Sequence, residues 1–318
     1  TTTPKRIVSM TTMSGFRACG AVFIDCSYEG DLLRLSHTAY AVGREATTEY
    51  NETMAGQGAP PFQNSDSLQS YFNVDVSPFV DTTNTTLLPT IVERYKGVAG
   101  AADDWVMAMC FRMCLTNNAT NAIPITQPQG YDVSVMELLR REIISVTHQN
   151  VTLSLASMFL VRQLPNMKID LNSGQWTAGI GHGGYFPFST DLPFAQHDWA
   201  VGDALARARV FTAHKFWTQA MLYYLANDAE ITRLQPALVK EMASYGLCGD
   251  EYLDSHNWSP QLYVREAIRL QGAHVITQAD ICDETAAPRS TSVGLSQWQV
   301  DIHAVKRVAW FVNKTWRV

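Results

Sequence analysis

The chain has 318 residues, is 46% hydrophobic and carries a formal net charge of −6, enough apolar side chain for one large core or two smaller ones. Its basic residues are scattered rather than gathered into a stripe that would neutralise phosphates, which argues against a nucleic-acid partner. No apolar run approaches the ~18 residues of a membrane span.

Residues 5–12 and 18–27 read as two strands joined by a turn around Ser14 and Gly15. The run Ala21-Val-Phe-Ile24 is continuously apolar, which suits a strand covered on both faces. A short helical pattern follows through Leu32, Leu33 and Leu35. Residues 50–100 are rich in Thr, Pro, Asn and Gly and are expected to run as long loops. Residues 105–116 alternate. Met107, Met109, Phe111, Met113 and Leu115 share one face, and Ala108, Cys110, Arg112 and Cys114 the other, so the segment is expected to be a strand roofing a cavity.

Asp132 is a fitting N-cap for a helix through Leu138, Leu139 and Val146. A long helix is expected over residues 203–227, where Ala206, Val210, Ala213, Trp217, Ala220 and Tyr224 recur at steps of three and four. Another is expected over 234–245, ending at Gly246, and residues 261–277 read as strand or helix, with two short strands broken at Gly272 favoured.

The six cysteines (Cys19, Cys26, Cys110, Cys114, Cys248, Cys282) show neither a C-x-x-C pair nor zinc-ligand spacing, and their even number permits disulfides without requiring them. Cys114 reads as inert packing, with a redox or covalent role as the alternative. Glycosylation sequons stand at Asn51, Asn84, Asn118, Asn150, Asn257 and Asn313. They point to the secretory pathway, or else are chance matches in a Thr-rich chain. Residues 1–6 are polar and unlike a signal peptide. The run Gly179-Ile-Gly-His-Gly-Gly184 matches G-x-G-x-x-G in form only. Residues 172–177 before it do not read as a convincing strand, and Pro187 keeps a helix from following, so it reads as a loop with His182 as a loop histidine.

Several stretches carry a resemblance. Phe23-Ile-Asp-Cys-Ser-Tyr-Glu-Gly-Asp-Leu32 and Val42-Gly-Arg-Glu45 resemble the "D-A-T-Y-E-G-D" and "V-G-R-E" motifs of a family of FAD-dependent oxidoreductases. Phe111-Arg-Met-Cys-Leu-Thr116, Pro128-Gln-Gly-Tyr-Asp132, Phe188-Ser-Thr-Asp191, Tyr263-Val-Arg-Glu-Ala-Ile-Arg269 and Asp301-Ile-His303 follow in that family's order. The resemblance implies an α/β to α+β fold of the glutathione-reductase type. Residues 1–36 would be the remnant of a Rossmann-type FAD domain, 37–300 a mixed, mostly antiparallel substrate domain with long helices, and 301–318 the start of a return segment. It implies FAD, with Asp25, Cys26, Ser27, Glu29 and Gly30 on the nucleotide side. Cys26-Ser27 stands where the family has Ala-Thr. The opening strand–glycine turn–helix and the closing segment are not seen, so the chain is expected to be truncated at both ends.

His303 with Asp301 is the acid–base candidate for hydride transfer from a small polar substrate, the alternative being a solvent-facing pair. Arg265 is read as neutralising a substrate or flavin anion, or as one half of a structural ion pair, with Glu266 on the opposite face. Arg112 is a substrate clamp or a carboxylate-paired strut. Arg44 and Glu45 form a cavity wall or a salt bridge. A non-catalytic secreted binding module, or a gene fragment that has lost flavin, is the competing reading.

Overall fold

The computed structural model describes residues 6–58, 72, 75–174, 186–282, 302–312 and 314–318. A hairpin comes first, β1 (Ser9–Thr11) antiparallel to β2 (Arg17–Cys19). Thr12 closes its turn, donating its N–H to the Phe16 carbonyl at 2.8 Å and accepting the Phe16 N–H on its hydroxyl at 3.1 Å. The second strand is much shorter than expected. Residues 21–27 join no ladder among the described residues, and Val22 and Ile24 are 77% and 81% exposed. The apolar run is real, but no described strand lies beside it to satisfy its backbone or cover its faces.

Next come α1 (Asp31–Leu35), β3 (Tyr40–Ala41) and turn-rich chain broken by β4 (Glu93–Arg94). The alternation at 105–116 yields a strand only at its end, β5 (Met113–Thr116). β6 (Ala122–Ile123) leads to a 3-10 turn capped by Asp132, whose Oδ1 accepts the Ser134 N–H at 2.9 Å, and then to α2 (Glu137–His148). α3 (Leu155–Met158) precedes the hairpin of β7 (Phe159–Leu164) and β8 (Lys168–Gly174). Asn166 and Met167, both at positive φ, make its turn, which matches the twist of the two strands.

The long helix forms as α4 (Ala204–Asn227), with Asp203 accepting the Ala206 N–H at 2.8 Å. α5 (Ala229–Leu234) and α6 (Pro236–Ala243) follow, the latter with proline at its start. β9 (Gly246–Cys248), β10 (Arg269–Leu270), α7 (Gln278–Cys282), β11 (Val308–Val312) and β12 (Thr315–Arg317) complete the described elements. The second strand expected before residue 277 is loop, and α7 begins only after it.

The main sheet is antiparallel throughout, in the order β6-β9-β5-β8-β7. Met113, Leu115, Ile169 and Leu171 from it share one core with Leu139, Ile143, Met221, Leu225 and Leu238 from α2, α4 and α6. β10 pairs antiparallel with β3, and β11 lies between β12 and β4, parallel to the latter. The fold is thus mixed, helices packed on antiparallel sheet. No helix among the described residues is long and apolar enough to cross a membrane.

Candidate functional site

Residues 105–112 do not form a ladder strand because their hydrogen bonds go to three separate segments. The Met107 N–H donates to Glu266 Oε2 at 3.0 Å, and the Ala108 N–H to the Ala304 carbonyl at 3.0 Å. The Val106 carbonyl accepts from Gln196 Nε2 at 2.8 Å, the Met109 carbonyl from the Leu192 N–H at 3.3 Å, and the Cys110 carbonyl from the Tyr263 N–H at 2.8 Å. Every backbone group accounted for in this way fixes another segment. The ribbon gathers residues 191–196, 263–266 and 302–305 around itself.

At that junction lies a buried charge cluster. Asp191 Oδ1 accepts from Arg265 Nη1 at 2.9 Å, and its Oδ2 accepts from His303 Nδ1 at 2.7 Å. Their side chains are 11%, 3% and 16% exposed for Asp191, Arg265 and His303 respectively. Arg265 Nη1 also donates to the Ala108 carbonyl at 2.5 Å, and Nη2 to Cys110 Sγ at 3.4 Å. Burial alone would raise the Asp191 carboxyl. The Arg265 guanidinium and the His303 imidazole outweigh it and hold the group ionised, below the ordinary carboxylate range. Bonding to Asp191 at Nδ1 fixes the tautomer of neutral His303, which then carries its lone pair on Nε2.

Three neighbours complete the cluster. Burial pushes the Cys110 thiol up to about 12, so it stays protonated, and it donates to Asn172 Oδ1 at 3.5 Å. On α4, His214 donates Nδ1–H to the Val210 carbonyl at 2.8 Å, its Nε2 has no partner among the described residues, and burial lowers its pKa. Arg307 lies over the rings of Phe188 (4.8 Å) and Phe72 (5.4 Å) and donates to Thr90 Oγ1 at 2.8 Å. None of these partners is a carboxylate. Burial lowers this guanidinium to about 10, opposed by the Asp191 charge.

The sequence profile of a family described as FAD dependent oxidoreductase matches residues 1–318. The chain belongs to the FAD-dependent oxidoreductase family. No curated protein and no solved structure matches it.

The family motifs divide by what their side chains hold. In the 263–269 motif, Arg265 enters the charge cluster, whereas Glu266 turns away to Met107 and to Arg269 Nη1 at 2.5 Å. Arg269 reaches Glu45 Oε1 at 2.6 Å and the Gly43 carbonyl, so this motif locks onto the 42–45 motif. Arg44 pairs with Asp103 instead. Arg112 pairs with Asp170 on β8 and lies 5.3 Å from the Tyr263 ring, whose other contact is Arg265 at 5.1 Å.

Asp25, Cys26, Ser27, Glu29 and Gly30 make their contacts away from Asp191 and His303. Asp25 Oδ1 accepts the Ser27 N–H and hydroxyl at 3.0 and 2.7 Å, and its Oδ2 takes the Leu32 N–H at 3.0 Å. Ser27 Oγ accepts the Gly30 N–H, Gly30 packs on Ile268, and Cys26 is an exposed thiol. Glu29 accepts from Trp199 Nε1 at 3.3 Å, and Asp31 pairs with Arg207 through two bonds of 2.6 and 2.8 Å.

These residues do not form a pyrophosphate cradle. The five-residue α1 has its Leu32 N–H occupied by a carboxylate of the chain itself, and Asp31 adds negative charge in the first turn. No group of acidic, histidine or cysteine side chains suited to a metal occurs among the described residues. The glycine run at 179–184 and Asp301 lie outside the described residues, so His303 is seen here with Asp191 as its carboxylate.

The expectation that Cys114 is a packing thiol is corrected. Cys114 and Cys248 form a disulfide between β5 and β9, at directly opposed positions next to the Leu115–Leu247 pair. Asn257 lies beside it, its amide donating to the Cys248, Gly249 and Glu251 carbonyls at 3.2, 3.1 and 2.9 Å. That amide is a structural strut, whereas Asn51, Asn84 and Asn150 are exposed turn residues. Sequence reasoning noted Phe188-Ser-Thr-Asp191 as a motif but passed over Asp191 itself. It also passed over His214 and Arg307, which sit in apolar surroundings with no local pattern to flag them.

Proposed function

We propose that this chain forms the substrate side of an FAD-dependent oxidoreductase acting on a small polar alcohol or amine that carries a negative group. The observation behind this reading is the His303–Asp191 pair, buried and braced by Arg265. Oxidation of such a carbon removes a hydride and, from the attached oxygen or nitrogen, a proton. In the family, FAD supplies the redox chemistry. Because the described residues form no cradle for its pyrophosphate, only the proton is assigned to this chain. His303 takes that proton at Nε2, and the Asp191 carboxylate at Nδ1 stabilises the imidazolium that results. Arg265, committed to Asp191 and the Ala108 carbonyl, is a positioning residue. The Arg307 guanidinium, which lacks a carboxylate partner among the described residues, supports an anionic group on the substrate.

The Cys114–Cys248 disulfide, with the exposed sequons, supports a secretory or extracellular location on the same reading. The first test is the visible spectrum of the chain after incubation with FAD and desalting. A stoichiometric flavin spectrum supports an oxidoreductase complete in this chain. A colourless, folded protein refutes flavin binding by this chain and favours a binding module. With flavin retained, a panel of anionic alcohols and amines should show turnover. His303→Gln should lower kcat by about 10²–10⁴ with the flavin spectrum unchanged. Undiminished turnover in that variant would remove His303 from the mechanism.

A further inference from the structure

A second site lies on the far part of α4, more than two helical turns beyond His214. Gln127, Tyr131, Tyr223, Tyr224, Asn227 and Asp228 line a hollow of about 350 Å³, within the range of small-molecule sites. We propose that this hollow binds a small organic ammonium ion, held by the tyrosine rings and the Asp228 carboxylate.

Three observations point to a cation. First, the walls are aromatic and meet at a corner. The Tyr131 and Tyr223 rings are 5.5 Å apart at 78°, edge to face, which leaves an angle between two ring surfaces rather than one flat platform. Ring faces carry negative quadrupole density, and a corner of two faces is how proteins cage alkylammonium groups.

Second, the charge has one sign. No lining side chain is cationic. Asp228 spends one oxygen on the start of α5, accepting the Glu230 and Ile231 N–H groups at 2.9 and 3.0 Å. No donor among the described residues reaches its other oxygen. Arg140, whose charge opposes the shift at Tyr224, is taken up by Glu137 and Glu230 at 2.7 and 2.9 Å. The Asp228 carboxylate is felt by the phenols around it. Burial pushes the Tyr131 hydroxyl up to about 12, and Asp228 adds to the shift; burial and then Asp228 also raise Tyr224.

Third, Tyr224 is 1% exposed and its hydroxyl has no hydrogen-bond partner among the described residues. A buried phenol is ordinarily paired. Here it borders a hollow instead, where an ammonium N–H or a water carried with the ligand would satisfy it.

The charge and the ring corner favour an ammonium over a neutral sugar, which would stack on a single ring face. The test is ligand-observed NMR titration of the full chain with tetramethylammonium chloride, its neutral isostere tert-butanol, and methyl glucoside, at constant ionic strength. The expected result is saturable tetramethylammonium binding at least about tenfold tighter than tert-butanol. Tyr223→Ala, at a partly exposed position of α4, should weaken it about tenfold, and Tyr223→Phe should leave it unchanged. Asp228→Asn keeps an acceptor for the α5 cap and should weaken binding severalfold with Tm preserved. Equal binding of tert-butanol, preferential binding of methyl glucoside, no saturable binding, or indifference to both Tyr223→Ala and Asp228→Asn would each overturn the proposal.

Discussion

Asp191→Asn is the most informative single change. The carboxylate accepts from Arg265 and His303, and the Arg265 side chain is 3% exposed. Removing the charge takes the Asp191 carboxylate away from a desolvated guanidinium. Breaking a buried pair on one side costs about 3–5 kcal/mol. At roughly 2.1 cal/mol/K of unfolding entropy per residue, a 318-residue chain should lose about 4–8 °C in Tm. Asp170→Asn is the control, because its partner Arg112 is 38% exposed, and a solvent-screened pair is worth about 0–1 kcal/mol. Calorimetry of both variants between pH 3 and 8 is the assay. Asp191 titrates below the ordinary 3.8, so its contribution is complete above that value and is lost as pH falls through the folded-state pKa. The part of the gap between wild type and Asp191→Asn that comes from the carboxylate should shrink as pH falls below about 4. An Asp191→Asn variant no less stable than Asp170→Asn would refute the buried-pair reading.

Two further predictions concern the scaffold. Cys114 and Cys248 close a loop across a sequence separation of 134, so Cys114→Ala with Cys248→Ala should cost about 2–5 kcal/mol in denaturant unfolding. In the unreduced protein an alkylating reagent should label the exposed Cys19 and Cys26 but not Cys114 or Cys248, and labelling of the latter pair would contradict the disulfide. Gly43 sits at φ +74° with a hypothetical Cβ 2.3 Å from the Asp103 carbonyl, whereas Gly130 has φ +75° and open space around it. Gly130→Ala should cost only the left-handed backbone penalty of about 1–2 kcal/mol, and Gly43→Ala measurably more. Equal Tm values for the two would show that the 42–45 turn has room to shift.

Local signals in the sequence located the helices well, because their caps act over three residues. Asp132 and Asp203 each accept the N–H that their spacing implies. Binary pattern was less reliable for strands, since a strand needs a partner that the pattern does not name. Residues 21–24 are as apolar as a central strand, yet Val22 and Ile24 are exposed. Residues 105–112 alternate, yet their N–H and carbonyl groups go to loops nearly 200 positions away in sequence, such as Ala304. The same long range hid the charge cluster. Arg265 and His303 stood out within motifs, but the residue that joins them, Asp191, closed a motif whose Asp had no local reason to be buried. The disulfide was out of reach because six cysteines allow many pairings, and only the register of β5 against β9 brings Cys114 opposite Cys248.

The adjacent residues Arg265 and Glu266 show how one motif serves two ends. Extended backbone sends neighbouring side chains to opposite sides. Arg265 accordingly turns to the Ala108 carbonyl and Asp191, while Glu266 turns to the Met107 N–H and Arg269. Both therefore grip residues 107–108, one through a carbonyl and one through an N–H. Arg269 carries the hold on to Glu45. Glu266 is raised by its burial, against the pull of the Met107 N–H and Arg269, so its ionised form depends on those two contacts. A change at Arg269 would then act on the cluster indirectly, by loosening Glu266 and the ribbon that positions Arg265. Through Arg265, the Asp191 carboxylate is thus tied to the interlocked 42–45 and 263–269 motifs.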